Sequence, residues 1–325
     1  MEYQHIFNIQ SQQEFINRAL EVFRYQAKHN QVYAEFLDTL RVRPEDVQDI
    51  QDIPFLPVET FKSRNLQAGE KEPEIVFTSS GTTGLQTSRH PVTDLSLYEQ
   101  SFLKGFEYFY GHPENYCFLG LLPSYLEREG SSLIYMVDRL ISVSRYSQSG
   151  FYLNDFIALR EQLKENELQA IPTILIGVSF ALLDFAESHS LPLSHTLIME
   201  TGGMKGRRKE ITREELHEIL QKQFCIDRIH AEYGMTELLS QAYSKGKGIF
   251  HTPPWMRIMI RDVYDPFTYV ETGQSGGINV IDLANIYSVS FLLTQDIGRM
   301  LAGGGFEILG RFDQSDIRGC NLLVS

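Results

Sequence analysis

The stretch Thr173-Ile-Leu-Ile-Gly-Val-Ser-Phe-Ala-Leu-Leu-Asp-Phe-Ala-Glu187 decides the fold class. Thr173 to Val178 is a continuous apolar run, which reads as a strand buried on both faces. Phe180 to Glu187 then reads as a helix. The same alternation extends outward in both directions. On the amino-terminal side, Glu74 to Thr78 reads as a strand that runs into a Gly/Ser/Thr loop. Asp94 to Tyr110 is helical and Tyr116 to Leu122 strand-like. Ser131 to Ser142 is helical, with Leu133, Met136, Val137 and Leu140 on one side, and Asn154 is placed to cap the next helix. On the carboxyl side, Thr196 to Met199 is a strand followed by Gly202-Gly203. Arg213 to Gln223 is helical, and Arg228 to Glu232 is a strand ending at Tyr233-Gly234. This order predicts an α/β fold of mostly parallel sheets flanked by helices. In such a fold, ligands sit where the carboxyl ends of strands meet loops.

The two ends of the chain have different textures. Ser11 is placed to cap a helix carrying Phe15, Ile16, Leu20 and Phe23 at helical spacing, and a second apolar-spaced segment surrounds Phe36 and Leu40. Ile53-Pro-Phe-Leu-Pro57 is expected to be extended, because proline removes donors and restricts its predecessor. After Pro253 long helices give way to short strand candidates: Met256 to Val263, Ile278 to Asp282, Tyr287 to Leu293 and Phe306 to Leu309. The expected organisation is an α/β core over 1–252 and a β-rich subdomain of the same structural unit over 253–325.

Composition narrows the function classes. A chain of 325 residues, 42% apolar and 22% charged, has ample material for a core. Its net charge of −13 argues against a dedicated nucleic-acid binder, which needs clustered Lys and Arg. A small anion such as ATP is still compatible, because a local loop can hold it. The three cysteines, Cys117, Cys225 and Cys320, form neither a disulfide framework nor a metal-ligand pattern. They fit reduced thiols in a cytoplasmic chain. Met1 to Gln10 is polar, unlike a secretory leader, and no apolar run is long enough for a membrane span.

Two loops at strand ends carry the chemistry. Thr78-Ser-Ser-Gly-Thr-Thr-Gly84 offers hydroxyls, backbone N–H groups and two glycines that let the backbone approach an anion. It suits a phosphate cradle made of Thr78, Ser79, Ser80, Gly81, Thr82, Thr83 and Gly84, but it is not a P-loop, since no lysine follows the glycine. The ordinary alternative is a surface turn. In Ala231-Glu-Tyr-Gly-Met-Thr-Glu237, Tyr233 can stack on a flat ring, Thr236 can bond a phosphate, and Glu237 can hold a Mg²⁺ that bridges phosphate oxygens. The alternative here is a strand-to-helix turn capped by Thr236. Glu232 either assists Glu237 or simply ends a strand. His90 either contacts the acyl-phosphate region or bonds a loop carbonyl.

Together these loops resemble the phosphate loop and the Tyr-Gly-x-Thr-Glu motif of the adenylate-forming superfamily, which includes acyl-CoA synthetases and peptide-synthetase adenylation domains. Three further segments fit in order. Thr201-Gly-Gly203 resembles the strand end facing adenine. Thr294-Gln-Asp-Ile-Gly298 resembles the segment whose aspartate, here Asp296, binds ribose, with Gln295 where glycine is usual. Gly310-Arg-Phe-Asp313 resembles the hinge, with Arg311 near the ribose. Within the superfamily the chain is most similar to the acyl-protein synthetases of bacterial bioluminescence fatty-acid reductase. That likeness rests on Pro54-Phe-Leu-Pro-Val-Glu-Thr-Phe-Lys62, Pro123-Ser-Tyr-Leu-Glu-Arg128 with Ser131-Ser-Leu-Ile-Tyr135, and Thr201-Gly-Gly-Met-Lys-Gly206.

The resemblance implies ATP and Mg²⁺ as cofactors and activation of a carboxylic acid, expected to be a fatty acid, as an acyl-adenylate. The acyl group then passes to a protein thiol and on to an accepting protein such as a reductase or carrier. It assigns Gly202, Gly203, Tyr233, Gly234 and Met235 to the adenine side, Asp296 and Arg311 to the ribose, and Thr236 and Glu237 to phosphate and metal. Typical members continue past the hinge into a domain of about a hundred residues whose lysine aids adenylation. Only twelve residues follow Asp313 here, so that small C-terminal domain is expected to be absent. This speaks against an ordinary CoA ligase and leaves Lys205, Arg89 and Arg128 as candidates for the missing charge.

Cys320, in Arg318-Gly319-Cys320, is the candidate acyl acceptor. A neighbouring arginine favours the thiolate, and the family's accepting cysteine is also C-terminal. The alternative is a small buried hydrophobe. Cys117 and Cys225 read as core thiols. A compact acyl-CoA or carrier-protein ligase, and a non-catalytic nucleotide-binding subunit, are the competing functions. The intact Thr236 and Glu237 count against the second of these.

Overall fold

The computed structural model describes residues 3–79, 87–122, 130–202 and 211–312. The chain forms two compact units, Met1–Lys71 together with Pro254–Ser325, and Glu72–Pro253.

The first unit begins with two helices. In α1 (Gln12–His29), Ser11 is the cap and its hydroxyl accepts the Glu14 N–H. The helix buries Phe15, Ala19, Leu20, Val22, Phe23 and Gln26. Asn30 caps α2 (Gln31–Leu40) in the same way through the Tyr33 N–H. A short strand β1 (Leu56–Pro57) and a single turn of helix α3 (Thr60–Ser63) follow.

The second unit opens with β2 (Ile75–Thr78) and β3 (Arg89–Val92), an antiparallel pair. Next come α4 (Leu95–Tyr110), β4 (Cys117–Leu121), α5 (Ser132–Val143), β5 (Gly150–Phe151), α6 (Phe156–Leu168), β6 (Thr173–Val178), α7 (Ser179–Ser188), β7 (Thr196–Thr201), α8 (Arg213–Phe224), β8 (His230–Tyr233), β9 (Ala242–Ser244) and β10 (Ile249–His251). Within this unit the strand order is β5-β4-β6-β7-β8-β9-β10. The pairs from β5 to β8 are parallel, and the last two are antiparallel. The parallel strands therefore end on one edge, where Val178, Thr201 and Tyr233 close β6, β7 and β8. β6 is buried along its whole length, as its unbroken apolar run requires. The cap of α6 corrects the sequence reading. Asp155, not Asn154, accepts the Ala158 N–H.

The chain then returns to the first unit. β11 (Met256–Arg261), β12 (Ser275–Asp282), β13 (Phe291–Met300) and β14 (Phe306–Arg311) form an antiparallel series, and β1 pairs parallel with β13. The amino-terminal helices are tied to this sheet by buried amides. Gln26 is 0% exposed; its Nε2 donates to the carbonyls of Asn285 and Ile286 at 3.0 and 2.9 Å, and its Oε1 accepts the Ser290 N–H at 3.0 Å. Asn30 Nδ2 donates to the Ser288 carbonyl at 3.0 Å. Buried polar groups placed this way are satisfied only if both ends of the chain fold together.

Candidate active site

The Ser/Thr/Gly segment begins at the end of β2, and β3, the antiparallel partner of β2, follows it. Its base is closed by two bonds: Ser79 N–H donates to the Ser88 carbonyl at 3.1 Å, and Ser88 N–H donates to Ser79 Oγ at 2.9 Å. Thr78 N–H donates to the Gly130 carbonyl at 2.8 Å. Ser80, Gly81, Thr82, Thr83 and Gly84 lie outside the described residues, as do Arg128, Gly203, Lys205, Asp313 and Cys320.

The second loop is built on the end of β8. Tyr233 is buried, with its ring edge-on to Phe250 at 6.2 Å. The chain turns through Gly234, with Leu238 N–H on the Met235 carbonyl at 3.1 Å, and returns as β9 antiparallel to β8. No helix follows Thr236, so the alternative in which Thr236 caps one does not hold. Met235 and Thr236 are half-buried and Glu237 is buried. A Cβ at Gly234 would lie 2.5 Å from Glu232 Oε1, so the turn passes directly over that carboxyl and only glycine fits without a shift.

The two loops meet. His90, on β3 and 0% exposed, places Nδ1 2.8 Å from the Thr236 carbonyl oxygen. The histidine thus bonds a loop carbonyl, and that carbonyl belongs to the other motif. Ser101 Oγ on α4 and Ser240 Oγ past the turn lie 2.9 Å apart and support the same junction.

Below the turn lies a buried acid network; Thr201, Gly202 and Glu232 belong to the motifs already named, while Ser179, Glu200, Arg213 and His217 do not. Thr201 Oγ1 donates to Glu232 Oε2 at 2.5 Å. Burial pushes Glu232 up to about 7; the Thr201 bond opposes this and the nearby Glu200 charge adds to it. Burial also raises Glu200, but His217 and Arg213 outweigh it and leave Glu200 below the ordinary carboxylate range. Arg213 Nε is 2.8 Å from Glu200 Oε1, and His217 Nε2 is 3.4 Å from the same oxygen. Ser179 Oγ lies 3.0 Å from both Glu200 Oε2 and the Gly202 carbonyl. Gly202 sits at φ +68°, in the left-handed region that favours glycine. For the members outside those motifs, the sequence signal is the i,i+4 spacing of Arg213 and His217 on α8.

In the first unit, Asp296 and Arg311, fifteen residues apart, are register partners on β13 and β14. Arg311 Nε is 3.9 Å from Asp296 Oδ1, with the Arg311 side chain 68% exposed and that of Asp296 18%. Asp296 N–H donates to Thr294 Oγ1 at 3.1 Å.

The thiols divide differently from the sequence reading. Cys117 is buried in β4, accepts Asn166 Nδ2 at 3.4 Å, and is raised by burial. Cys225 is exposed, against the expectation of a core thiol. It ends α8 at φ +52°, and this left-handed turn carries its side chain off the buried face of Phe224.

Among the described residues no three His, Cys, Asp or Glu side chains converge into a metal cage. One buried carboxylate, Glu237, next in sequence to Thr236, fits Mg²⁺, which takes most of its ligands from phosphates and water.

This fold is that of the adenylate-forming enzymes. The chain superposes on a 2-hydroxyisobutyryl-CoA ligase crystallised with an acyl-adenylate, at TM-score 0.65 and 11% identity, covering 93% of this chain and 68% of that one. It also matches ATP-bound MatB from Rhodopseudomonas palustris at TM-score 0.51 and 17% identity, over 73% of this chain and 47% of that one, and so spans about half the length of that enzyme. More particularly, residues 6–99 match the family model of the acyl-protein synthetase LuxE. The long-chain-fatty-acid–luciferin-component ligase of Vibrio harveyi is 24% identical over an alignment of 350 positions, covering 98% of this chain and 89% of the relative. The matched family is the one the sequence resembles. No described helix is long and apolar enough to cross a membrane.

Proposed function

We propose that this chain is an ATP-dependent acid–thiol ligase of the acyl-protein synthetase type. It activates a carboxylic acid, of the fatty-acid class, as an acyl-adenylate and passes the acyl group to a protein thiol. The observation that carries this reading is the 2.8 Å bond from His90 Nδ1 to the Thr236 carbonyl. It holds the hairpin bearing the phosphate-type loop against the turn bearing Thr236 and Glu237. On this reading the hydroxyls and N–H groups of the 78–84 loop and the Glu237 carboxylate serve one polyphosphate.

In the first half-reaction a carboxylate oxygen of the acid attacks the α-phosphorus of ATP, the new P–O bond forms, and the bond to pyrophosphate breaks. Donors of the 78–84 loop, the Thr236 hydroxyl and Lys205 stabilise the negative charge that shifts during this exchange. Glu237 is the residue that would hold Mg²⁺, which neutralises phosphate charge when bound. Tyr233, Gly234, Met235, Gly202 and Gly203 are assigned to the adenine, and Asp296 and Arg311 to the ribose hydroxyls. In the second half-reaction a thiolate, assigned to Cys320, attacks the acyl carbonyl and AMP departs. The acyl group is finally taken by an accepting protein such as a reductase or carrier.

Carboxylate-dependent exchange of labelled pyrophosphate into ATP tests the first step, using separate pools of fatty and aromatic acids. Exchange with fatty acids is the expected result. Folded protein that binds ATP yet exchanges with no pool would overturn the proposal and leave a nucleotide-binding subunit. Rapid turnover with CoA and no protein acylation would instead favour a compact CoA ligase.

A further inference from the structure

The segment bearing Asp296 leaves the regular ladder. β12 and β13 pair Asn279 with Leu293 and Gly277 with Ile297, so Thr294, Gln295 and Asp296 stand opposite the single residue Ile278. Bulges of this kind re-aim side chains and leave backbone groups without ladder partners. The partners here come from elsewhere. Thr294 Oγ1 donates to the Ile278 carbonyl at 2.8 Å, and Phe312 N–H donates to the Gln295 carbonyl at 2.8 Å. The Thr294 carbonyl is held by Arg261, whose Nη2 donates to it at 3.1 Å.

Arg261 is an unusual occupant. It ends β11 and is 6% exposed. Its guanidinium lies in the space a side chain would take at its register partner Gly277, where a Cβ would overlap Nη1 and Cζ. Cζ is 5.6 Å from the ring centre of Phe312, the neighbour of Arg311. Nη1 is buried without a hydrogen-bond partner among the described residues. Burying a cation with one nitrogen unsatisfied is costly, and an apolar side chain would fill the slot more cheaply. What the arginine adds is a planar donor that reaches the bulge carbonyl from one end and sits over the Phe312 ring.

We propose that Arg261 is a positioning residue for nucleotide binding: seated in the slot at Gly277, it pins the Thr294 bulge and so fixes how Asp296 is presented beside Arg311. This rests on the assignment of Asp296 and Arg311 to the ribose hydroxyls.

The test measures pyrophosphate exchange with ATP, 2′-deoxy-ATP and 3′-deoxy-ATP for Arg261→Ala, Arg261→Met, Gly277→Ala, the Arg261→Ala/Gly277→Ala pair and Asp296→Ala. Arg261→Ala is expected to raise the KM for ATP on the order of tenfold, with a smaller change in kcat, and to flatten the preference for ATP over the deoxynucleotides. Gly277→Ala should do the same, because its methyl group evicts the guanidinium. The double variant should be no worse than either single one. Arg261→Met fills the slot without the donor, and it should keep thermal stability nearer wild type while losing the preference. Folded Arg261 variants that keep the wild-type preference and KM, while Asp296→Ala loses them, would overturn the inference and leave the ribose assignment standing. An unchanged preference in Asp296→Ala would overturn both.

Discussion

His90 donates its Nδ1 proton to the main-chain carbonyl of Thr236 across 2.8 Å, and it does so with its side chain fully buried. A carbonyl only accepts, so the proton sits on Nδ1. Through this one bond a hairpin of the second unit holds a turn that lies 146 residues further along the chain.

Removing the donor should loosen that junction. His90→Ala is expected to lower stability by about 2 kcal/mol, combining a cavity with an orphaned carbonyl, and to raise the KM for ATP. His90→Asn, whose amide can donate from near the Nδ1 position, should recover part of both. Denaturant unfolding and exchange kinetics on the same preparations check this. A destabilised Ala variant with an unchanged KM would show that the bond supports the fold alone.

Glu237 is a buried carboxylate on a turn, not in a ladder, so its neutral isostere should be tolerated by the fold. Glu237→Gln is expected to lose most adenylation, on the order of a hundredfold or more, with a melting temperature close to wild type. Titrating Mg²⁺ should shift the wild-type rate strongly and the variant rate little. Wild-type exchange rates in the variant would remove Glu237 from the metal assignment.

Glu232 carries a pH signature. Burial raises its folded-state value to about 7, against an ordinary value of 4.5. A raised acid binds its proton more tightly in the folded state, so its stabilising contribution is present below about 4.5 and is lost as pH rises through about 7. The loss is at most about 3 kcal/mol. Glu232→Gln keeps an acceptor for Thr201 Oγ1 and cannot ionise, so its stability relative to wild type should improve between pH 5 and pH 8, taken as roughly the window spanned by the two values. Urea unfolding of both proteins at those pH values decides it; parallel pH profiles would mean that Glu232 titrates normally.

Legibility followed the range of the interaction. Ser11 was readable as a cap because a cap needs only a residue and the next turn. Asn154 and Asp155 are both capping types, and the fold chose between neighbours. The strand ends that carry both motifs, Thr78 on β2 and Tyr233 on β8, were readable because each closes a short strand-like run. Gln26 was not, since its partners lie about 260 residues away. Nor was the Glu200–Arg213–His217 network, whose members have no common motif. Cys225 misled because its neighbours Phe224 and Ile226 are apolar, while the left-handed turn that exposes it depends on where α8 stops. Strands β5, β9 and β10, of two or three residues, are too short to show a period.

The thiol assignment can be separated from the adenylation chemistry by using all three cysteines. Cys117 is buried and its thiol is raised by burial, so it is a poor nucleophile and an unreachable one. Cys225 is exposed and is therefore the control that matters, because any activated acyl group could label an accessible thiol. Cys320→Ser is expected to leave pyrophosphate exchange at the wild-type rate and to abolish hydroxylamine-sensitive labelling of the chain by radioactive fatty acid and ATP. Cys225→Ser should change neither. Labelling that survives in Cys320→Ser and disappears in Cys225→Ser would move the acyl acceptor to the end of α8. Chain labelling that survives in both single variants would remove Cys320 as the sole acceptor, whereas an unlabelled wild-type chain with label on the accepting protein would place the thiol there.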